Sequence, residues 1–238
     1  MKKLTLDKIV QSQGFGTRKY CRDLIAQGEV VINGQKETNY RSLFEAEGLI
    51  FSVFDEAWQY RKNVYIALNK PSGFECSRKP SHHPGVLTIF PEQFTWRDVQ
   101  PVGRLDHDTT GLLLMSDDGS FIHALSSPKK HVPKVYEATT ADPVTDELVS
   151  TLLAGVLLID EDLPLAAVVC KQLDTHLLEI VLEQGKYHQV KRMLAAAGNQ
   201  SVALNRRAVG DLTLAILGLA QGEWCYLEPH HLALLGLN

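Results

Sequence analysis

The sequence predicts an α+β protein: a small unit of two helices and a hairpin, then a larger domain with a mixed, mostly antiparallel sheet flanked by helices. Three observations predict it. Short runs rich in Val, Ile and Leu recur along the chain, bounded by Gly, Pro, Asn and Asp, the pattern of strands between turns. Many of these runs follow one another in hairpin order, with helix-period segments between some of them. Finally, Asp55 to Asn63 mixes charges without periodicity, which places a domain boundary near Tyr60 and separates residues 1–60 from 61–238.

Composition narrows the function classes. With 238 residues, 45% of them hydrophobic, the chain can bury a sizeable core. No apolar run approaches the roughly 18 residues of a membrane span, and no signal-peptide pattern opens the chain. Cys21, Cys76, Cys170 and Cys225 lie far apart with no C-x-x-C pair, which fits reduced thiols in the cytoplasm better than a disulfide frame or zinc site. The net charge of −4 does not mark a nucleic-acid binder, but its distribution is uneven. Up to Arg41 there are eight Lys/Arg against four Asp/Glu, whereas Ser42 to Tyr60 holds four acids and no base. Lys186 to Arg207 holds five bases and no acid, and Lys129, Lys130 and Lys134 form a third basic cluster. Separate basic patches on an acidic body are an electrostatic footprint for RNA or DNA.

Taken in order, Leu6, Ile9 and Val10 have the spacing of a short amphipathic helix over Leu4 to Gln13, with Gly14 as its stop. A second helix starts from an N-cap at Thr17, turns Tyr20, Cys21, Leu24 and Ile25 inward, and ends at Gly28. Arg18 and Arg22 share a face of it with Lys19 beside them, so all three are candidate RNA contacts. Val30 to Ile32 is a strand, and Asn33-Gly34 a strong hairpin signal. In the larger domain, Val64 to Leu68 reads as a strand running into Asn69-Lys70-Pro71-Ser72-Gly73. A long loop follows, punctuated by Pro80, Pro84 and Gly85, with His82 and His83 adjacent in it. Ser120 to Leu125 is a short helix, Pro128 to Pro133 a basic loop, and Lys134 to Thr140 an alternating strand. Asp142-Pro143 opens a helix that ends before Gly155. Ala166 to Leu173 and His176 to Glu183 form a hairpin across Asp174-Thr175. A helix from His188 to Ala197 stops at Gly198; Ser201 to Arg207 and Trp224 to Leu227 are strands, and Pro229 starts a terminal helix.

The stretch with chemical promise is Pro101 to Gly119. A Gly103-Arg104-Leu105-Asp106 turn leads into Asp108-Thr109-Thr110, and Leu112 to Met115 then reads as a buried strand closed by Asp117-Asp118-Gly119. Arg104 and Asp106 therefore sit at the mouth of a rigid element, where a reactive carboxylate is useful and reachable; a solvated turn that merely caps the strand is the alternative. Asp106, Tyr136 and Lys191 each fall at the edge of a predicted element. No phosphate loop, dinucleotide fingerprint or nucleophile elbow is present, so neither a nucleotide cofactor nor acyl transfer is expected. The aspartates match no calcium-loop spacing, and no metal is expected.

Two resemblances sharpen this reading. Leu6-Asp7-Lys8 and Val31-Ile32-Asn33-Gly34 resemble the αL RNA-binding domain named after the fourth small-subunit ribosomal protein, with Thr5 where that pattern often has Arg. Beyond it, Gly103-Arg104-Leu105-Asp106 with Thr109, Gly111 and Leu112, then Asn69-Lys70-Pro71-Ser72-Gly73, Lys134-Val135-Tyr136 and Gly185 to Met193 resemble the motifs of pseudouridine synthases of the ribosomal small-subunit synthase A type. The resemblance implies a pseudouridine synthase domain that detaches uracil from its ribose, rotates it and rejoins it through ring carbon five, with no cofactor. It implies that Asp106 carries the essential carboxylate, acting on the sugar's anomeric carbon, on the uracil ring, or in an elimination. It assigns Lys191 to an ion pair with Asp106, and Tyr136 to stacking on the target base. Arg104 is implied to fill the gap left by the flipped uridine or to bind phosphate. Lys70, Lys186 and Arg192 are further RNA-contact candidates. The implied partner is ribosomal RNA or a ribosome assembly intermediate, met by a monomer. Small-subunit 16S rRNA is the favoured substrate and large-subunit 23S rRNA the alternative. Two other classes compete: a non-catalytic RNA-binding assembly factor, and a metal-dependent phosphoesterase built on Asp106, Asp108 and Asp117.

Overall fold

A computed structural model describes residues 3–127 and 130–236. The chain divides into two compact units, Met1–Val64 with Leu87–Val99, and Tyr65–Val86 with Gln100–Asn238. Leu87–Val99 lies beyond the boundary drawn near Tyr60, yet it packs with the first unit.

In the first unit, β1 (Lys3–Thr5) precedes α1 (Leu6–Ser12) and α2 (Arg18–Ala26). Thr17 caps α2, accepting a hydrogen bond from the Tyr20 amide, as its sequence position predicts. Cys21, Leu24 and Ile25 face inward, but Tyr20 does not: half exposed, its ring lies over the open side of Gly16. β2 (Val30–Ile32) and β3 (Gln35–Lys36) form the expected hairpin, with Asn33 and Gly34 both at positive φ. Three further strands, β4 (Leu43–Glu45), β5 (Ile50–Val53) and β6 (Glu56–Gln59), occupy a region where the sequence shows only acidic, aperiodic character. β5 and β6 join through Phe54-Asp55, at φ 52° and 64°, a left-handed two-residue turn without the Asn-Gly signature that would reveal it. Sheet order is β3-β2-β5-β6, while β4 pairs with β1. Helix α3 (Glu92–Trp96) buries Phe94 in this unit. It passes so close to the chain just after the C-terminus of α1 that a Cβ on Gly14 would lie 2.1 Å from the Gln93 carbonyl oxygen. Arg97 ties the approach by donating to the Gln13 side-chain oxygen (2.7 Å) and the Arg61 carbonyl (2.9 Å).

Among the described residues, the second unit is built on nine strands. β7 (Tyr65–Lys70), β8 (Gln100–Pro101), β9 (Thr110–Ser116), β10 (Lys134–Thr140), β11 (Val169–Asp174), β12 (Leu177–Leu182), β13 (Ser201–Val209), β14 (Leu212–Thr213) and β15 (Trp224–Tyr226) form one sheet. Its main path runs β11-β12-β10-β13-β9-β7-β15. Among the described residues every pairing in this sheet is antiparallel except β13 with β9, so the sheet is mixed and mostly antiparallel. Helices α4 (Gly119–Ser126), α5 (Asp146–Ala154), α6 (Gln189–Ala196), α7 (Leu214–Leu217) and α8 (Pro229–Ala233) flank it. α5 starts later than Asp142-Pro143 suggests, because the Thr145 hydroxyl, not Asp142, accepts from the Leu148 amide and caps the first turn. Two apolar cores result. One joins α5, α6 and β10–β12 through Leu152, Leu178, Ile180 and Met193; the other joins α4, β7 and β9 through Ala67, Leu112, Leu114 and Leu125.

The parallel seam between β9 and β13 connects the two halves of the sheet, and it depends on Gly111. At φ +105°, this residue brings its backbone so near β13 that an added Cβ would lie 2.3 Å from the Arg206 carbonyl oxygen. Any side chain there would force the strands apart at the point where the Asp106 turn enters the sheet. No helix among the described residues is long and apolar enough to cross a membrane.

Candidate functional site

A cleft of about 420 Å³ opens in the second unit, within the size range of small-ligand sites. Arg104, Asp106, Lys134, Tyr136, His188 and Arg206 are among its lining residues. Asp106 reaches it from the turn that precedes β9. Leu105 anchors that turn in the apolar interior, and the Thr109 amide closes it by donating to the Asp106 carbonyl (3.1 Å).

The deepest support of this turn is Lys70, expected as an RNA contact and corrected here. Its side chain is fully buried, and its ammonium donates to the carbonyl oxygens of Pro71, Asp106, His107 and Thr109 at 2.9 to 3.2 Å. No surface of Lys70 remains for a phosphate. Burial pushes the ammonium's pKa down, and the nearby Asp106 and Asp108 charges oppose that shift. A cation whose hydrogens all meet backbone carbonyls is a pin that fixes where the Asp106 side chain emerges.

Asp106 is held on both oxygens by α6 and the residue before it. Lys191 Nζ lies 3.3 Å from Oδ2, and His188 Nε2 lies 3.1 Å from Oδ1. Lys191 also donates to Asp108 Oδ1 at 2.6 Å, so one ammonium bridges two carboxylates. Burial pulls the Lys191 pKa down, but the two carboxylates outweigh it and hold the ammonium above its ordinary value. Asp108 shows the reciprocal effect: partial burial would raise its carboxyl, and Lys191 holds it below the usual carboxylate range. Tyr136 enters the cleft from β10, where it faces Arg206 across the β13 pairing.

His188 escaped the sequence reading. It sits at the N-cap of α6 with φ 46°, a left-handed conformation that costs a non-glycine residue energy. Its ring stacks on Tyr187 with centroids 3.8 Å apart, and the Arg192 guanidinium donates to the Tyr187 carbonyl. One signal was available: His188 and Lys191 are three residues apart at a helix start, so both project to one side.

The other candidate RNA contacts divide by what they already hold. Arg104 is exposed, lines the cleft and makes no hydrogen bond or ion pair among the described residues. Lys186 pairs with Glu161 at 2.9 Å, and Arg192 pairs with Asp160, so acids face both. Arg18 and Arg22 both pair with the buried Asp7, at 2.9 and 2.8 Å, while about half of each side chain stays exposed. Lys19 beside them is exposed. Thr5 does not contact a ligand surface through its hydroxyl, which donates to Asp7 at 2.6 Å. Lys129 of the third basic cluster lies outside the described residues.

A phosphoesterase built on Asp106, Asp108 and Asp117 does not fit. Asp117 follows β9 at the end opposite Asp106, and seven residues of strand span roughly 20 Å. Its neighbour Asp118 caps α4 and accepts from the Tyr65 hydroxyl (2.8 Å). His82 and His83 are exposed; their amides donate to Glu75, and the His83 ring stacks on His107. Among the described residues, no group of three His, Cys, Asp or Glu side chains could hold a metal ion.

The chain is similar to known proteins over nearly its whole length. Residues 64–196 match the RNA pseudouridylate synthase family, and residues 4–48 match the S4 domain. The chain is 33% identical over 98% of its length, and 98% of the other's, to an uncharacterised RNA pseudouridine synthase of Bacillus subtilis. It is 33% identical to the ribosomal small subunit pseudouridine synthase A of Pasteurella multocida, covering 97% of this chain and 98% of that one. A crystal structure of a pseudouridylate synthase superposes with a TM-score of 0.68 at 35% identity, covering 98% of this chain and 99% of the other.

Proposed function

This chain belongs to the RNA pseudouridylate synthase family, and from that premise we propose that it isomerises a specific uridine in small-subunit 16S ribosomal RNA. The observation that carries the reading is the Asp106 carboxylate, open to the cleft and held on one oxygen by Lys191, with Tyr136 lining the same cleft. The full-length similarity to small-subunit enzymes supports 16S rRNA over 23S rRNA.

The mechanism follows from where charge and flat surfaces sit. A uridine cannot react inside a base-paired stack, so it is flipped into the cleft, and its base stacks on Tyr136. Arg104, exposed and without a partner among the described residues, occupies the vacated stack or holds an adjacent phosphate. Asp106 then acts as a carboxylate, by attack on the anomeric carbon or by assisting departure of the base. Lys191 and His188 keep its two oxygens in place, so no orientation has to be found during the reaction. Uracil rotates within the cleft and returns through ring carbon five. Bond order and oxidation level balance without an external reagent, so the reaction needs no cofactor. Arg18, Lys19 and Arg22 of the first unit, with Lys186 and Arg192 of the second, supply phosphate contacts; Lys186 and Arg192 must exchange Glu161 and Asp160 for RNA. The enzyme works as a monomer in the cytoplasm, on rRNA or an assembly intermediate.

Tritium release from rRNA labelled at ring carbon five of uridine tests the reading. Small-subunit transcripts or assembly intermediates should release tritium with the wild-type protein, and large-subunit transcripts should not. Release from large-subunit RNA alone would reassign the substrate; release from neither would leave only an RNA-binding role.

A further inference from the structure

The same cleft carries positive charge that the reaction as described does not use. Arg206 is 4% exposed, yet it lines the cleft. Its Nε donates to the Leu112 carbonyl at 2.7 Å, and its guanidinium pairs with no carboxylate among the described residues. Lys134 lines the same cleft two residues before Tyr136 on β10, and therefore on the same face of the strand. Burial, and then the charge of Arg206, push its pKa down to about 8, with Glu183 opposing. Two cations, Arg206 almost closed off and Lys134 half-buried, are costly side by side unless an anion occupies the site.

Depth identifies the occupant. The Asp106 side chain is 22% exposed, whereas Arg206 is almost closed off. A flipped nucleotide stays tethered at the rim through its phosphates, so the part that reaches deepest is its base.

We propose that Arg206 and Lys134 form an anion-stabilising floor that holds the negative charge of the uracil ring after its bond to the sugar has broken. The inference rests on the uridine-isomerising reading above. The N1–C1′ bond breaks with its electron pair left on N1 and spread over O2 and O4, and the electron-poor C1′ is taken by the Asp106 carboxylate. After rotation, C5 returns an electron pair to C1′ and frees the carboxylate. The C5 proton then departs to the freed carboxylate or to solvent, and N1 takes up a proton, so no electrons are gained or lost. Fixed donors aimed at developing charge are an effective way to lower such a barrier.

Two bases that share the uracil ring, one with a nitro group at ring carbon five that makes it acidic, test for an anion preference, and the variants assign that preference to charge. At pH 7 uracil is neutral, while 5-nitrouracil is a monoanion. Equilibrium dialysis should show 5-nitrouracil binding about tenfold more tightly than uracil, roughly the worth of one charge-assisted hydrogen bond. Arg206→Met and Lys134→Met should each reduce that preference to about twofold or less. Lys134→Met leaves the tie between Arg206 and Leu112 intact, so it decides the matter if Arg206→Met does not fold. In single-turnover tritium release each variant should be slower by about 10²-fold, the effect of removing one preorganised donor, with RNA affinity unchanged. Equal binding of both bases by the wild type, or an undiminished preference in the variants, would overturn the proposal. Anion preference without tritium release would instead sink the uridine reading, so the two failures are distinguishable.

Discussion

Two carboxylates, Asp7 and Asp106, are each gripped by two basic side chains, and the difference between them separates structure from chemistry. Asp7 is 1% exposed; Arg18 and Arg22 share its Oδ2, and the Thr5 hydroxyl takes Oδ1. Burial would raise its pKa, but the Thr5, Arg22 and Arg18 hydrogen bonds win and hold it at about 2. Such a group is a clamp between helices, saturated and out of reach. Asp106 has one partner per oxygen, keeps part of its surface open to a cleft, and shares Lys191 with Asp108. It retains lone pairs that a substrate can meet. The lesson is that pairing with a cation does not distinguish a carboxylate open to a substrate from a structural one. Access does.

The sharpest way to break the comparison is to neutralise each carboxylate by an isosteric change. Asp106→Asn should lower tritium release by about 10⁴-fold or more, as loss of a unit-acting catalytic group does, with RNA affinity within about threefold and thermal stability unchanged. Asp7→Asn should do the reverse: full activity per folded molecule, with stability reduced by about 2 kcal/mol in denaturant titration. Tritium release by Asp106→Asn at the wild-type rate would end its assignment.

Next in size is Lys191→Ala, which removes the cation between Asp106 and Asp108 and should slow single-turnover release by about 10²- to 10³-fold. A wild-type rate in that variant would show the ion pair to be incidental.

Acid titration sharpens the clamp side. The pKa of Asp7 falls from 3.8 to about 2 on folding, so its contribution is fully present above roughly pH 4 and is lost as pH falls toward 2. Wild type should lose about 2 kcal/mol more stability than Asp7→Asn over that window. Parallel stability curves for the two proteins would contradict the clamp.

The smallest effect is expected at His188. His188→Gln keeps a donor near Asp106 and should reduce the rate by about tenfold or less, whereas His188→Ala should reduce it further. Equal rates for the two variants and the wild type would reduce His188 to a packing residue.

Much of this architecture can be read from the chain before it folds. Asn33-Gly34 announces its hairpin because few residues accept positive φ at two successive positions, and Thr17 announces its helix through its hydroxyl. The alternation in Lys134 to Thr140 and the apolar run from Leu112 to Met115 place the two strands that flank β13. Ile50 to Gln59 stayed hidden because Phe54-Asp55 makes the same kind of turn without the residues that favour it; pairing with β2 and burial of Phe51 compensate.

Sequence alone determined the period and punctuation of the elements and, through its motifs, the family. These are local properties, set by backbone preference and residue type. Only the tertiary structure decided what each charge does, because burial and partnership come from distant segments. Lys70 became an internal pin when the Asp106 turn folded over it. His188 met Asp106 across 82 residues of chain, and Arg206 was shut into the cleft floor because Gly111 let β9 close upon β13. A lysine in sequence is a positive charge; in the fold, desolvation and the identity of its neighbours decide whether it binds, holds or reacts.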